Sequence, residues 1–298
     1  MEYHASVNED NKKSERKERY VVQTFKRVLK NKLAVFGLIV ITLLIILALF
    51  APLLVSHGPL EQNLQETELG IGAENHFLGT DNYGRDMWSR LVYGARISLI
   101  VGLASVFFGL IGGLTLGLLG GYYRKIDGFV MRIVDLLFAF PGILLAMLII
   151  AMLGTSLINV VIAISIWSIP GCARIVRGSV LSIKKQEYIL AMKSLGASDR
   201  RIILKHILPN CMAPIIVFAT MRMGTAILST SALSFLGLGA QPPTPEWGAM
   251  IAAGQDFMWS APHMSIIPGV AIMLTIFSFN VVGDGLRDAL DPNMELDV

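Results

Sequence analysis

The sequence predicts an all-α integral membrane protein with six transmembrane helices. Of its 298 residues, 54% are apolar and only 16% are charged, and the mean hydropathy is +0.61. A soluble domain carries about 25% charged residues. The apolar residues also form runs of bilayer length, because a helix needs about 20 residues to cross the hydrocarbon core. These properties exclude a disordered or nucleic-acid-binding protein and argue against an ordinary soluble enzyme.

Six runs with few or no charges define the expected spans. They cover residues 33–55, 97–123, 128–153, 155–173, 211–239 and 265–283. A transmembrane barrel would instead alternate apolar and polar residues in segments of about ten, and residues 43–49 do not alternate. The first run is longer than the roughly 7–15 apolar residues of a cleavable signal peptide and follows a polar stretch. We therefore expect it to be a retained helix.

The distribution of lysine and arginine orients these spans. One side holds twenty of these residues (nine in 1–32, two in 124–127, eight in 174–210 and one in 284–298), and the other side holds three, all in 56–96. Because cytoplasmic loops carry the excess of positive charge, both termini are expected in the cytoplasm. Cys172 and Cys211 then lie near the cytoplasmic face, where thiols stay reduced.

The chain is accordingly divided into five parts. These are a cytoplasmic tail with an amphipathic segment (1–32), a first transmembrane helix (33–55), an extracytoplasmic loop (56–96), a five-helix core (97–283) and a cytoplasmic C-terminal tail (284–298). Within the core, residues 240–264 form a second external loop, with a short amphipathic helix predicted at 246–258. Trp247 and Trp259 suit the headgroup level. This helix either receives a partner protein or forms a structural lid.

Small residues recur every four positions in the second span. Gly109, Gly113, Gly117 and Gly121 form this stripe. Small residues at this spacing let two membrane helices approach closely. The stripe predicts helix packing, without indicating whether the partner helix belongs to this chain.

Three charged residues lie within the expected spans and need partners or water. Arg132 and Asp135 are three residues apart and are expected to form an ion pair near the cytoplasmic end of the third span. Arg222 lies about eleven residues into the fifth span. It either belongs to a buried pair, with Asp135 or with a neighbouring subunit, or lines a substrate path.

The cytoplasmic segment 174–210 is too long for a tight turn and is strongly basic. Residues 182–195 favour one helix, and Gly196 suits the position just after it, where a positive φ is easiest for glycine. Ser198 or Asp199 would cap a second helix that runs to Leu208. Two helices joined by a glycine at the inner face indicate a docking element, or alternatively a segment that rests on anionic lipid.

This segment contains a recognisable motif. Residues 187–198 read EYILAMKSLGAS and residues 206–210 read HILPN, which resembles the coupling loop of binding-protein-dependent ABC importer permeases. That family's pattern is Glu-Ala-Ala, three residues, Gly, nine residues, then Ile-x-Leu-Pro. The chain keeps the central alanine (Ala191), the glycine (Gly196) and the final Leu-Pro, but it departs at Leu190, Met192 and His206. Glu187 offers a carboxylate one helical turn earlier.

Further stretches are similar to the C-type permease of dipeptide, oligopeptide and nickel importers, and the resemblance runs from about residue 30 to 292. They are FLGTD at 77–81, GRD at 84–86, SR at 89–90, GARISL at 94–99, RIVRG at 174–178, LSFLGLG at 233–239, PEWG at 245–248 and the ending from 280 to 292.

The resemblance implies a type I ABC importer permease in the inner membrane of a bacterium or archaeon. Its implied partners are a second homologous permease, two ATPase subunits, an extracytoplasmic substrate-binding protein and membrane lipid, with no nucleic acid. The coupling helices at 182–208 would contact the ATPase through Glu187, Leu190, Ala191, Gly196, Ala197, Leu208 and Pro209. Di- and oligopeptides are the expected cargo, with glutathione and nickel or other metal chelates as alternatives.

The sequence disfavours two other functional classes, an enzyme and a stand-alone secondary transporter. An enzyme is disfavoured because neither a His-Glu-x-x-His zinc motif nor a phosphate-binding Gly-x-x-x-x-Gly-Lys-Ser/Thr loop occurs. No catalytic residue, metal or cofactor is therefore assigned to this chain, and ATP and Mg²⁺ are expected in partner ATPases. Asp81, Asn82 and Asp86 do not have the spacing of a calcium loop, so no metal site is expected in the 56–96 loop. A stand-alone secondary transporter would show paired interrupted helices and an internal repeat, and the sequence has neither.

Overall fold

The computed structural model describes residues 23–291, which form helices and turns without a β-strand. The helices are α1 (Lys32–Leu49), α2 (Met87–Tyr122), α3 (Arg124–Phe138), α4 (Gly142–Leu153), α5 (Leu157–Ile183), α6 (Glu187–Ser194), α7 (Asp199–Ile202), α8 (Met212–Phe235), α9 (Trp247–Gly254) and α10 (His263–Leu290). Residues 1–22 of the predicted cytoplasmic tail and amphipathic segment, and residues 292–298 of the predicted C-terminal tail, lie outside the described residues.

Five of these helices (α1, α2, α5, α8 and α10) are long and apolar enough to cross a membrane. The pair α3 and α4 makes a sixth span if it is counted as one. Three helices, α2, α5 and α10, are longer than their predicted spans. Helix α2 begins at Met87, because the side chain of Asp86 accepts a hydrogen bond from Ser89 N and caps it. Helix α5 continues ten residues beyond 173.

The predicted continuous third span, 128–153, is wrong because α3 and α4 meet at a bend of 89°. Pro141 lies at the break. It has no N–H to continue the helix, and its ring disfavours helical geometry at Phe140. Gly142 then packs so closely on Trp167 that an added Cβ would lie 1.7 Å from the indole ring. The bend therefore brings the start of α4 against the middle of α5.

The glycine stripe of α2 packs against α5 of the same chain. A Cβ added at Gly109, Gly113, Gly117 or Gly121 would lie 2.7, 2.3, 2.6 and 2.7 Å from the Cβ atoms of Ser168, Cys172, Val176 and Val180, respectively. Real Cβ atoms do not approach this closely, so each of these sites accommodates only hydrogen. The backbones of α2 and α5 consequently lie in direct contact along three turns of helix.

The loops gather at the two ends of the bundle. At one end, the segments 50–86 and 236–262 meet, since Arg90 Nη1 donates hydrogen bonds to both Pro59 O (3.1 Å) and Pro243 O (3.4 Å). The segment 184–211 lies at the opposite end, where Tyr122 Oη donates to Asp199 Oδ1 (2.6 Å).

The external helix is anchored differently from expectation. Predicted over 246–258, it comprises α9 and a 3₁₀ turn, Gln255–Phe257. Glu246 is fully buried, accepts from Ala249 N (3.0 Å) at the start of α9 and also accepts from Ser231 Oγ (3.1 Å). The placement of Trp247 at the headgroup level is wrong, because its ring is buried and its Nε1 donates to Leu91 O (3.0 Å). The side chain of Trp259 is exposed.

Candidate functional site

The loop between α5 and α8, residues 184–211, is a folded structure with its own apolar anchors. Ile189, Ile202 and Ile207 are buried in a cluster with Val180 at the end of α5 and Cys211 at the start of α8. The predicted helix at 182–195 is two pieces, because α5 ends at Ile183 and α6 begins at Glu187. This division directs α6 away from the axis of α5 while keeping Ile189 in the core.

The junction after α6 is a Schellman motif. Gly196 has φ +80°, its N–H donates to Lys193 O (3.1 Å), and Ala197 N donates to Met192 O (3.1 Å). This pair of bonds satisfies carbonyls that would otherwise be unpaired at the helix end. The left-handed backbone explains why glycine stands at this position.

The second half of the loop differs from the predicted continuous helix to Leu208. Helix α7 has only one turn and is followed by a π-helical turn, Ile203–Ile207. The i→i+5 spacing of a π turn places Ile202 and Ile207 on one face, and both are buried. Ser198 occupies the N-cap position of α7 but makes no side-chain capping bond, while Asp199 is engaged by Tyr122.

The outward face of this loop is uncovered and combines exposed leucines with basic side chains such as Lys193, Arg200 and Arg201. Leu195 is 87% exposed and Leu190 is 53% exposed, and Tyr188 and Leu204 of the same loop are also exposed. Of the residues expected to contact an ATPase, five are exposed and two are half-buried. The exposed ones are Glu187, Leu190, Ala191, Gly196 and Pro209, and the half-buried ones are Ala197 and Leu208. Exposed leucines on a rigid loop are typical of a protein-binding surface.

Ion pairs join α5 to the bent pair of helices near this loop. Arg177 binds Asp127 with two bonds (2.6 and 2.7 Å). Arg174 binds Asp135 (2.7 Å) and lies over the ring of Phe138. The predicted ion pair between Arg132 and Asp135 is therefore wrong. Spacing along one helix suggested it, but the guanidinium from α5 reaches the carboxylate and stacks on a ring at the same time.

Arg222 lies in the middle of α8 and is partly buried. Its Nε donates to Ser168 Oγ (3.1 Å), and its guanidinium lies 4.7 Å from the centre of the Trp167 ring. Pairing with Asp135 within this chain is wrong, because Asp135 binds Arg174. Among residues 23–291, no carboxylate lies within ion-pair distance of Arg222. Trp167 and Ser168, which hold the arginine, carried no signal in the sequence.

A cavity of about 530 Å³ opens at the other end of the bundle, between the α1–α2 loop and the segment around α9. Arg85 and Arg90 line it, and both approach the carboxylate of Asp81, at 2.6 and 3.4 Å. Asn82 Oδ1 is buried at its wall and has no hydrogen-bond partner within the described chain. The sequence motif over 77–90 marked this region without indicating a cavity.

The α1–α2 loop also contains a cluster of histidines and carboxylates. His76 Nδ1 lies 2.9 Å from Asp86 Oδ1, and Nε2 lies 3.4 Å from Glu66 Oε2. Burial lowers the pKa of His76, but the hydrogen bonds to the two carboxylates outweigh it, and the pKa is raised above its usual value. The ring of His57 lies beside that of His76. Residue spacing predicts no metal site in this loop, because the loop fold rather than the spacing brings His57, His76 and Asp86 together.

Within residues 23–291, five or six membrane-length helices form the bundle expected of a multi-pass membrane protein. Residues 109–296 match the family described as "Binding-protein-dependent transport system inner membrane component", and residues 20–70 match the "N-terminal TM domain of oligopeptide transport permease C". The chain belongs to this family of permeases. It is a transport permease rather than an enzyme.

Several characterised relatives align over almost the whole chain. The dipeptide transport system permease protein DppC of Alkalihalophilus pseudofirmus is 53% identical over 92% of this chain and 90% of that protein. The glutathione transport system permease proteins GsiD of Pectobacterium atrosepticum and Escherichia coli O6:K15:H31 are 47% and 48% identical, each over 91% of this chain and 90% of theirs.

Solved structures share the fold at low sequence identity. The inward-facing MetNI methionine ABC transporter aligns with a TM-score of 0.57 at 22% identity, covering 69% of this chain and 98% of that chain. An amino acid ABC transporter with histidines aligns with a TM-score of 0.52 at 16% identity, covering 67% and 94%. The fold is therefore the type I ABC importer permease fold.

Proposed function

We propose that this chain is one of two permease subunits of an ATP-driven importer and forms, with a second homologous permease, the pathway for di- and oligopeptides. Two separate ATPase subunits supply ATP and Mg²⁺ chemistry, and an extracytoplasmic binding protein delivers the cargo. Both termini and the α5–α8 loop face the cytoplasm in this proposal. Family membership supports the binding-protein-dependent part of it, and the distribution of lysine and arginine supports the orientation.

The exposed face of the α5–α8 loop carries the proposal that this loop docks on an ATPase. Leu190 and Leu195 face outward while Ile189 and Ile202 fix the loop to the bundle. A loop that is anchored to the bundle on one face and exposes leucines on the other can transmit a displacement to α5. ATP binding then shifts the permease between inward- and outward-open states, to the extent that the ATPase contacts the two states differently.

Peptides are the proposed cargo because the relatives named above are dipeptide and glutathione permeases. Glutathione is the second candidate, favoured by relatives at 47–48% identity. Both cargoes carry a carboxylate and an ammonium group. Arg222 is the proposed polar lining of the path, since within the described chain it contacts the Ser168 hydroxyl and the Trp167 ring but no carboxylate.

The docking surface is tested by placing a charge on its most exposed leucine. Leu195→Glu should reduce recovery of the ATPase subunits with the tagged chain and should reduce ATP-dependent peptide uptake. Leu64→Glu is the matched control, because Leu64 is also a largely exposed loop leucine but lies at the other end of the bundle. Unchanged ATPase recovery and uptake with Leu195→Glu would refute docking through this surface.

Subunit composition tests the larger proposal. Detergent extraction of the tagged chain from its native membrane, followed by mass spectrometry, should recover a second permease and ATPase chains. Recovery of this chain alone, together with cargo uptake by vesicles that lack ATP, would replace the importer with a stand-alone secondary transporter.

A further inference from the structure

We propose that His57, His76 and Asp86 form a binding site for a divalent transition-metal ion, with Zn²⁺ as the representative ion, in the loop between α1 and α2. Glu66 faces Nε2 of His76, on the side of the ring away from Asp86, and would accept its N–H. The proposal does not depend on the transport cargo. Its subject is a structural ion on the external side of the permease.

Three ligand-bearing side chains converge although they are far apart in sequence. One ligand atom of each of His57, His76 and Asp86 lies within 4.8 Å of the other two. The two imidazole rings have centroids 4.8 Å apart and planes inclined by 31°. Ligands of one tetrahedral zinc ion are about 3.4 Å apart, given Zn–N and Zn–O distances of about 2.0–2.2 Å. A side-chain adjustment of about 1.5 Å would therefore close the shell.

The carboxylates around His76 favour a cation at its ring, either a second proton on the imidazole or a bound metal ion. Both of its ring nitrogens face carboxylate oxygens, at 2.9 Å for Asp86 and 3.4 Å for Glu66. A neutral imidazole has only one N–H, so one nitrogen lone pair would face a carboxylate without a hydrogen between them. The 3.4 Å separation is long for a charge-assisted hydrogen bond, which measures about 2.7–2.9 Å. With the N–H on Nε2 facing Glu66, the Nδ1 lone pair faces Asp86 at 2.9 Å, and a cation bound by both would remove this conflict.

Half of the cluster is fixed and the other half is adjustable. Asp86 is buried, and its Oδ2 accepts two bonds of 2.7 Å from Ser89, which orients Oδ1 toward His76. Such bonds to a carboxylate ligand are typical of metal sites. His57 is only partly buried and the Glu66 carboxylate is 41% exposed, so both can move and the site is open to solvent.

The ligand set selects the class of ion. Two imidazoles with one carboxylate suit Zn²⁺ and its first-row neighbours, whereas Ca²⁺ and Mg²⁺ prefer oxygen ligands alone. A bound ion would link residues 57 and 86, which lie near the two ends of the loop. Like a cross-link, it would reduce the conformational freedom of the unfolded loop. The loop contacts α10 through Thr80 and His263. The expected consequence is a more rigid external face.

The test is a metal titration of the full-length chain in detergent. The protein is purified with a tag that contains no histidine, treated with EDTA and titrated with ZnCl₂, with bound metal counted by mass spectrometry. We expect one Zn²⁺ per chain and a higher melting temperature with Zn²⁺ than with EDTA. His57→Ala should weaken binding by about 10- to 100-fold, and its partly exposed side chain makes misfolding a minor concern.

Two further variants make the result decisive. His206→Ala changes a histidine at the opposite end of the bundle and should bind Zn²⁺ like the unchanged chain. His76→Gln keeps a polar side chain in the buried position and should abolish binding. Absence of stoichiometric Zn²⁺, or equal affinity in the His57→Ala and unchanged chains, would overturn the proposal. In that case, a second proton on the His76 imidazole, rather than a metal ion, would face the carboxylate.

Discussion

The contact between α2 and α5 makes the sharpest prediction, which concerns Gly113. A Cβ at this position would lie 2.3 Å from Cys172 Cβ, 2.8 Å from Cys172 Sγ and 3.0 Å from Ile169 O. Two of these atoms belong to the rigid part of α5, so rotation of a flexible side chain cannot relieve the overlap. Gly113→Ala therefore forces the helices apart and loosens the contacts at Gly109 and Gly117.

The magnitude follows from two opposing effects. Alanine in place of glycine favours a helix by about 1 kcal/mol. Overpacking a closely packed interior costs about 1–3 kcal/mol in the free energy of unfolding. Gly178→Ala provides the matched control, because Gly178 lies on α5 and a Cβ there would meet nothing within 4 Å. The helix gain is common to both variants, so Gly113→Ala should be less stable than Gly178→Ala by about 1–3 kcal/mol.

The assay is thermal unfolding of the two purified variants in the same detergent. A difference of this size corresponds to roughly 2–12 °C in melting temperature for a chain of this length. Cys172→Gly removes the overlapping Cβ, so the double variant Gly113→Ala/Cys172→Gly should be more stable than the sum of the two single effects predicts. Equal melting temperatures for Gly113→Ala and Gly178→Ala would refute the close contact of α2 and α5.

Three further predictions concern the loop, the external helix and the intramembrane arginine. Gly196→Pro should abolish uptake while leaving the amount of membrane-inserted protein unchanged. Proline cannot adopt φ +80°, and it has no N–H to donate to Lys193 O. Normal uptake by a well-expressed variant would contradict this. Glu246→Ala should lower the free energy of unfolding by about 1–3 kcal/mol, since it leaves the buried Ser231 hydroxyl and the Ala249 N–H at the start of α9 without their acceptor. Thermal unfolding measures this loss, and an unchanged melting temperature would refute the prediction. Arg222→Ala should slow uptake without loss of subunit assembly, and wild-type uptake kinetics would return Arg222 to a structural role.

Hydropathy was sufficient to predict which parts of the chain are membrane helices, but it did not determine where they bend. Pro170 and Pro268 lie inside the continuous helices α5 and α10, whereas Pro141 stands at a bend of 89°. The difference is tertiary. Gly142 leaves room for the Trp167 ring directly after Pro141, and a single sequence does not indicate that the ring will be there.

The helix ends show a second limit of sequence reasoning. The predicted start of the second span at residue 97 followed the last charged residue, Arg96, yet α2 starts ten residues earlier at a cap provided by Asp86. Arg90 extends this helix into the loop because Asp81 and two backbone carbonyls bind its guanidinium. Hydropathy treats such a charge as a helix boundary, while the structure satisfies it locally.

The candidate site was predicted better at the loop than within the membrane. Gly196 follows from a local rule, since a helix end favours a left-handed residue and glycine adopts that conformation most easily. The partner of Asp135 depends on helix packing instead. Arg132 is near in sequence, but α5 brings Arg174 to the carboxylate. Long-range pairs of this kind become apparent only when the rotation of each helix is known.

Helix α5 connects the proposed docking loop to the proposed path, and its packing determines how motion could pass between them. Val180, near its end, belongs to the apolar cluster of the loop, and Ser168 holds Arg222. The two positions are twelve residues apart, about 18 Å along the axis. Between them, short side chains of α5 lie directly on the glycines of α2, so a displacement of the loop would be passed along α5 by closely packed atoms. Pro170 removes one helix hydrogen bond just beside Ser168. A push on the loop would therefore reach the arginine at the position where α5 bends most easily.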